Sequence, residues 1–299
     1  DGLANPDVMG ALDLCVGCKG CKRDCPTGID MARMKIEATH HFKSHHGFTL
    51  KDKLIAYLPH YAPWAAKFAS ILNLRNQFPW LAKIAESMTG LSAQRSWPTW
   101  QNHHFFSQPP SGVSKEEVLK ATKPVVLFVD TFNGFFESHN ASAALGVMQA
   151  AGYSVHIASK DDAHSGTQGH LCCGRTFLAK GMVEQARQQA QKLVDALVPF
   201  AQKGIAIVGL EPSCLLTLRD EALVLGLGES AELVSQQAVL FEEFLANELK
   251  AGKLEVLKQN LKPAEKNILL HGHCHQKAFG LMPSVLEVIQ LIPQAKPQL

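Results

Sequence analysis

The chain has 299 residues, 46% of them apolar and 19% charged, with a formal charge of +2 at pH 7. That is enough chain for two domains, or for one α/β domain with a substantial extra segment, and the near-balanced charge gives no reason to expect nucleic acid or an anionic membrane as partner. No run of about eighteen uncharged apolar residues occurs and no basic-then-apolar signal pattern opens the chain, so no transmembrane span is expected. The expected location is cytoplasmic, and peripheral at the inner face of the membrane if the protein meets one. Eight cysteines grouped as C-x-x-C and Cys-Cys read as metal or redox ligands, whereas a disulfide framework belongs to small secreted domains. The opening "DGLANPDVMG" has no initiator Met and reads as a processed or excised piece.

Residues 1–48 are expected to form a small all-helical, ferredoxin-like domain. Within "LDLCVGCKGCKRDCPTGIDM" (12–31), Cys15, Cys18, Cys21 and Cys25 have the spacing C-x2-C-x2-C-x3-C-P of a [4Fe–4S] ferredoxin loop. Gly17 and Gly20 permit turns that a Cβ would obstruct. A four-cysteine zinc site is the competing chemistry, but zinc pairs are usually separated by a long loop. In two-cluster ferredoxins the fourth Cys serves the other cluster, so Cys25 either closes this cluster or belongs to a second motif upstream. Ile29, Met31, Met34 and Ile36 are spaced for a helix, and His40, His41, His45 and His46 read as surface residues at its end. Residues 49–110 read as aromatic helices interrupted by Pro59, Pro63 and Pro79. They are expected to pack between domains; docking on a membrane or a partner domain is the other use such a surface has, while Lys67 and Arg75 argue against a span. "SQPPSGVSKEE" (107–117) is a linker before a short helix.

From 120 to 299 the pattern is α/β. Short apolar runs at 124–130, 153–158, 205–210 and 267–272 alternate with helix-length segments, the clearest at 181–198, where Met182, Ala186, Leu193 and Leu197 share a face. This predicts an open, mostly parallel sheet with helices on both faces. Residues 125–153 and 267–293 share one plan of strand, sharp loop, helix and break, which reads as an internal duplication truncated at the C-terminus, with Cys274 opposite Phe132. Asp130, Thr131, Glu211, Cys214, His271, His273, Cys274 and His275 all fall just past strand ends, where open α/β sheets place their sites. Cys172-Cys173-Gly174 is expected to open the helix running to about 198 and so to favour thiolate; two inert buried thiols are the alternative. The Cys and His of this group, His273 and His275 included, are candidate soft-metal ligands, with incidental histidines the alternative for "HGHCHQK".

The ferredoxin-type motif, the Pro-broken aromatic helices and the series "CCG", "EPSC" and "HGHCHQK" together resemble the C-terminal iron–sulfur region of bacterial FAD-linked D-2-hydroxyacid dehydrogenases of the D-lactate and D-2-hydroxyglutarate type. Over 120–299 the chain also resembles the cysteine-rich CCG domain found in the iron–sulfur subunit of glycolate oxidase, in the C subunit of anaerobic glycerol-3-phosphate dehydrogenase and in the B subunit of heterodisulfide reductase. The resemblance implies an iron–sulfur electron-transfer fragment of an oxidoreductase, inactive alone. It would relay electrons from reduced flavin in a missing upstream FAD domain, or in a flavoprotein subunit, to a quinone or cytochrome acceptor. It further implies Cys15, Cys18, Cys21 and Cys25 as ligands of a 4Fe-4S cluster, and Cys172, Cys173, Cys214 and Cys274 as CCG-domain positions for a second metal or iron–sulfur site. The chain departs from the full pattern in having no Cys after the first strand ("VDTFNG") and no second Cys-Cys-Gly. Two other readings follow from the same residues: a free-standing iron–sulfur subunit of a glycerol-3-phosphate, glycolate or lactate oxidase complex, and a zinc-binding structural module.

Overall fold

The computed structural model describes residues 2, 5–107, 111–163, 169–264 and 267–298. The chain begins with α1 (Pro6–Asp13), α2 (Gly20–Asp24) and α3 (Met31–His46). Asn5 caps α1 and Asp30 caps α3, each accepting from backbone N–H groups of the first turn that have no partner inside the helix. Five short helices follow: α4 (Leu50–Ala56), α5 (Leu58–Lys67), α6 (Ala69–Leu72), α7 (Leu74–Gln77) and α8 (Pro79–Thr89). Their inner side is lined with alanines, and Ala62 and Ala66 pack on Phe135 and Phe136 of the following domain. The large side chains Trp64, Phe68, Ile71, Trp80, Ile84 and Met88 stay exposed. Part of the linker at 107–117, residues 108–110, lies outside the described residues; α9 (Lys115–Val118) follows it under a Ser114 capping box.

The α/β domain is built on a parallel sheet of β1 (Pro124–Phe128), β2 (Ser154–Ile157), β3 (Ile207–Gly209) and β4 (Ala238–Leu240), in the order β2-β1-β3-β4. Val126 pairs with His156 on one side and Ile207 on the other. A strand apolar at successive positions must be covered on both faces. Val126 and Phe128 accordingly enter one core with Leu193 and Leu197 of α13 (Val183–Ala201), while Val125 and Leu127 enter the other with Met148 of α11 (Ser138–Ala150) and Phe244 of α16 (Phe241–Lys250). The remaining helices are α10 (Thr131–Phe135), α12 (Arg175–Leu178), α14 (Pro212–Leu218), α15 (Glu229–Gln237), α17 (Glu255–Asn260), α18 (Cys274–Ala278) and α19 (Met282–Gln290).

The α/β fold class stands, with two corrections. The run at 267–272 does not join the main sheet: β5 (Asn267–Leu269) pairs in parallel with β6 (Lys296–Gln298) as a separate two-stranded sheet, and Leu269 is 82% exposed. The helix expected to start at Cys172-Cys173 is two helices, because Gly181 takes a left-handed turn (φ +70°) between α12 and α13. The units β1-α10-α11-β2 and β5-α18-α19-β6 have the same element order and the same parallel pairing. With their first helices aligned, Cys274 stands opposite Thr131 and not Phe132.

Candidate functional site

The cysteine loop lies between α1 and α3. Its path needs left-handed backbone at Gly17, Lys19 and Gly28, with φ of +68°, +59° and +67°. Cys15, Cys18, Cys21 and Cys25 are free and half-buried along it. The loop points hydrogen-bond donors at sulfur: the Met31 N–H donates to Cys21 Sγ at 3.3 Å, and Cys25 Sγ lies 3.0 Å from Thr27 Oγ1. The Thr27 hydroxyl and the backbone N–H groups of Ile29, Thr27 and Gly28 hold the Cys25 thiol below the usual cysteine range. Four thiols three or four residues apart along one loop, with donors on the sulfurs of Cys21 and Cys25, are a donor set whose chemistry fits a [4Fe–4S] cluster, whose potential such hydrogen bonds help to set.

The loop is fastened to the α/β domain by charge. Lys19, 2% exposed, places Nζ 2.7 Å from Asp220, 2.9 Å from Glu221 and 3.1 Å from Asp30. Lys22 reaches Asp220 at 3.1 Å, Arg33 also pairs with Asp220, and Arg175, next after Cys-Cys-Gly, pairs with Glu221. Burial alone would raise the Glu221 carboxyl, but Arg175 and Lys19 hold it below its ordinary range. On the other side His275 Nε2 lies 3.0 Å from the Gly17 carbonyl, and the Arg23 guanidinium donates to the Lys277 carbonyl at 3.1 Å. A cavity of about 270 Å³ separates the loop from α12, with Cys15, Gly17, Lys35 and Arg175 on its wall.

The second group of residues sits at the carboxyl ends of β1 and β3, the point where strand order reverses in a sheet of this order and where open α/β sheets bind ligands. Three of its members are helix caps. Asp130 accepts from the N–H groups of Phe132 and Asn133, Glu211 from that of Ser213, and His273 Nδ1 from that of His275. Asp130 is buried, and burial with Glu211 nearby pushes its carboxyl up to about 6, although hydrogen bonds from Asn133 act the other way. Cys172, Cys173 and Cys214 form a buried thiol group. The expected thiolate character is reversed there: a thiol–thiol hydrogen bond to Cys173 and burial push Cys172 well up, and Cys173 is raised likewise despite its bond to Cys172. For Cys214, burial outweighs the hydrogen bond to Cys173 and pushes the thiol up to about 12. Cys274 is not with them but exposed, while His273 approaches Glu211 at 3.8 Å across α14. Among the described residues no three His, Cys, Asp or Glu side chains stand close enough to hold a single metal ion. A crevice of about 570 Å³ opens beside this group, lined by Phe132, Asn133, Glu137, Glu211, Phe241 and Glu242.

No protein-family model matches the chain, and no solved structure matches it. Curated relatives do. D-2-hydroxyglutarate dehydrogenase of Haemophilus influenzae is 24% identical over 285 residues, covering 91% of this chain and 26% of that protein. Over most of its length this chain is similar to D-2-hydroxyglutarate dehydrogenases. The enzyme of that name from Escherichia coli is 23% identical, over 83% of this chain and 23% of its own length. The C subunit of anaerobic glycerol-3-phosphate dehydrogenase of Escherichia coli is 23% identical, over 89% of this chain and 61% of its own length. The chain thus spans about a quarter of the length of the D-2-hydroxyglutarate dehydrogenases that it matches, and the resemblance read from its motifs is borne out.

In this relative of the D-2-hydroxyglutarate dehydrogenases, the ion-pair network around Lys19 escaped the sequence reading. Asp220 and Glu221 are separated from Lys19 by some two hundred residues. The one local signal is a Lys between Cys18 and Gly20 at a position whose backbone is left-handed. Of the four histidines at 40–46, His41, His45 and His46 are exposed on the last turns of α3 as expected, while His40 Nδ1 is held 2.9 Å from the Gly181 carbonyl.

Proposed function

We propose that this chain is the iron–sulfur electron-transfer portion of an FAD-linked D-2-hydroxyacid dehydrogenase, of the D-lactate or D-2-hydroxyglutarate type. Cys15, Cys18, Cys21 and Cys25 would hold a [4Fe–4S] cluster, which when bound supplies one-electron transfer between reduced flavin and a quinone or cytochrome acceptor. The flavin belongs to another domain of the same polypeptide or to a flavoprotein subunit. What carries this reading is the packing of the cysteine loop against both downstream motifs, through Arg175 beside Cys-Cys-Gly and through His275 on the Gly17 carbonyl. In this chain Lys19, Lys22 and Arg33 fix the loop to Asp220 and Glu221, and the Thr27 hydroxyl and the N–H groups that follow favour thiolate at Cys25.

Iron, acid-labile sulfide and zinc measured per chain after anaerobic purification test the proposal, with Cys15, Cys18 and Cys21 replaced together by Ser as the control. Iron and sulfide in the proportion of one cubane, lost in the Ser variant, are expected. Zinc without sulfide would replace the relay with a structural module. In a longer polypeptide carrying the FAD domain, unchanged hydroxy-acid oxidation after the same replacement would remove the relay role. A second reading, a separate iron–sulfur subunit serving a flavoprotein, is favoured by the larger share of the glycerol-3-phosphate dehydrogenase relative that the match covers. Recovery of a separate flavoprotein in a pull-down distinguishes it.

A further inference from the structure

The helices α5 to α8 present apolar residues outward at helical spacing. On α5 and α6 the stripe is Trp64, Phe68, Ile71 and Leu72; on α8 it is Trp80, Ile84 and Met88, at intervals of four. Trp64 is 66% exposed, Trp80 60% and Met88 70%. These are not residues left over from a failed core, because the opposite side of the same helices is packed through Ala62, Ala66, Ala69 and Ala82. Exposed apolar surface of this kind marks an interaction site.

We propose that this face docks on an anionic lipid bilayer surface, with the helices lying in the interface. Charge selects the occupant. Residues 54–85 contain no Asp or Glu, and their three charges are Lys67, Arg75 and Lys83. The whole segment 50–107 has six Lys or Arg against two Asp or Glu, within a chain of net +2. The near-neutral total therefore hides a basic face, which the composition alone did not reveal. Arg75 is buried, donating to the Ser92 and Arg95 carbonyls, so Lys67 and Lys83 are the cations that meet the lipid. Both stand exposed within the stripes, and Lys67 Nζ lies 5.1 Å from the Trp64 ring. An exposed ammonium held over an indole ring within an apolar stripe suits a phosphate headgroup above an acyl boundary. Two of the four Trp of the chain, Trp64 and Trp80, stand exposed on this face, and Trp is the residue that collects at membrane–water interfaces. Interruption by prolines and the shortness of the pieces suit a surface-lying arrangement. No described helix is long and apolar enough to cross a membrane. The inference stands apart from the relay reading, since none of these residues touches the cysteine loop.

The test uses vesicles of equal parts phosphatidylglycerol and phosphatidylethanolamine, with phosphatidylcholine vesicles as the uncharged control. The chain is expected to sediment with the anionic vesicles at low salt and to be released by high salt. Its Trp emission should shift to the blue through the exposed Trp64 and Trp80, and the part of the shift due to Trp80 should be missing in Trp80→Ser. Neutralising Lys67→Gln and Lys83→Gln should each weaken binding about fivefold. Trp80→Ser with Ile84→Ser and Met88→Ser should abolish it, while the melting temperature holds because these side chains are exposed. Retention in the supernatant at low salt overturns the proposal, as does undiminished binding by the triple variant. A concentration-dependent dimer that the triple variant dissolves, with no vesicle binding, assigns the face to a second copy. A longer polypeptide whose Trp emission is already blue and indifferent to vesicles assigns it to another part of the protein.

Discussion

Lys19 combines two unfavourable choices, a left-handed backbone for a residue with a Cβ and a buried ammonium group. Both are tolerated because Asp30, Asp220 and Glu221 converge on the one cation, and because Lys22, Arg33 and Arg175 then balance the remaining negative charge. Removing the central cation leaves the three carboxylates to the more exposed Lys22, Arg33 and Arg175, so Lys19→Met should cost about 3 kcal/mol in urea unfolding. The planar fork of Lys19→Arg should not restore it, since three carboxylates around one point suit an ammonium. A cost near zero would mean that the neighbouring cations carry the network alone. The thiols divide by environment in the same way. In the metal-free chain, alkylation at pH 8 should modify Cys15, Cys18, Cys21, Cys25 and Cys274, with Cys25 fastest because Thr27 and the following N–H groups favour its thiolate. Cys172, Cys173 and Cys214 should react only after denaturation, being buried and raised. Mass spectrometry of peptides after timed quenching reads both groups, and native-rate labelling of Cys214 would contradict the buried arrangement.

At the scale of elements, α3 and α4 are held to the turn between α12 and α13 by two contacts that substitution can separate. A Cβ on Gly181 would stand 2.7 Å from the His40 backbone N and 2.8 Å from the Thr39 carbonyl carbon, at a φ of +70°. Gly181→Ala should therefore cost about 2 kcal/mol or more, the sum of backbone strain and loss of this close approach. Asp52 is the second contact: it caps α4 with Thr49 and meets Lys43 at 2.7 Å and Lys180 at 3.6 Å. Burial opposes its charge, but hydrogen bonds from Lys43 and Thr49 prevail and bring the carboxyl to about 2. A depressed folded-state value stabilises above the unfolded one, near 4, and that contribution is lost as pH falls from about 4 to about 2. Asp52→Asn should accordingly cost about 1–2 kcal/mol at neutral pH and progressively less below pH 4. The approach of Gly181 to His40 and the pair of Asp52 with Lys180 were invisible in the sequence, because each joins segments far apart in it. By contrast β1, β2 and β3 were legible as runs of apolar residues, which is what a strand covered on both faces requires. β4 was not, since its three residues follow the polar end of α15 and carry no period of their own. The run at 267–272 read as a core strand, yet hydrophobicity does not say which sheet a strand joins, and β5 pairs with β6 instead. The positions of Asp130, Glu211 and His273 past strand ends were readable for a related reason: the strand end is followed at once by a helix that needs a cap.

Across the whole molecule, the cysteine loop touches the α/β domain at two separated places, at Asp220 and Glu221 through the Lys19 network and at α18 through His275 and Arg23. Order in the loop should therefore be felt at both. Loading a cluster onto Cys15, Cys18, Cys21 and Cys25 binds the folded loop and not the unfolded one, which stabilises whatever opens together with it. Hydrogen exchange on the metal-free and the reconstituted chain should show slower exchange over 13–31 in the loaded form. It should spread to 219–222 and 273–279, the segments the loop contacts. β2 and α11, on the far edge and the opposite face, should keep their rates because they contact neither the loop nor these two segments. Protection confined to 13–31 would show that the two parts open independently, and the ion pairs at Lys19 would then be a local support for the loop and not a coupling between it and the Cys-Cys-Gly segment. Protection that reaches Arg175 and α18 but is reduced at α18 in Arg23→Ala, where His275 still holds the Gly17 carbonyl, with 219–222 unchanged, would separate the two lines of contact. That pattern is the one expected from the geometry, since Arg23 donates to Lys277 and takes no part in the pairs at Asp220.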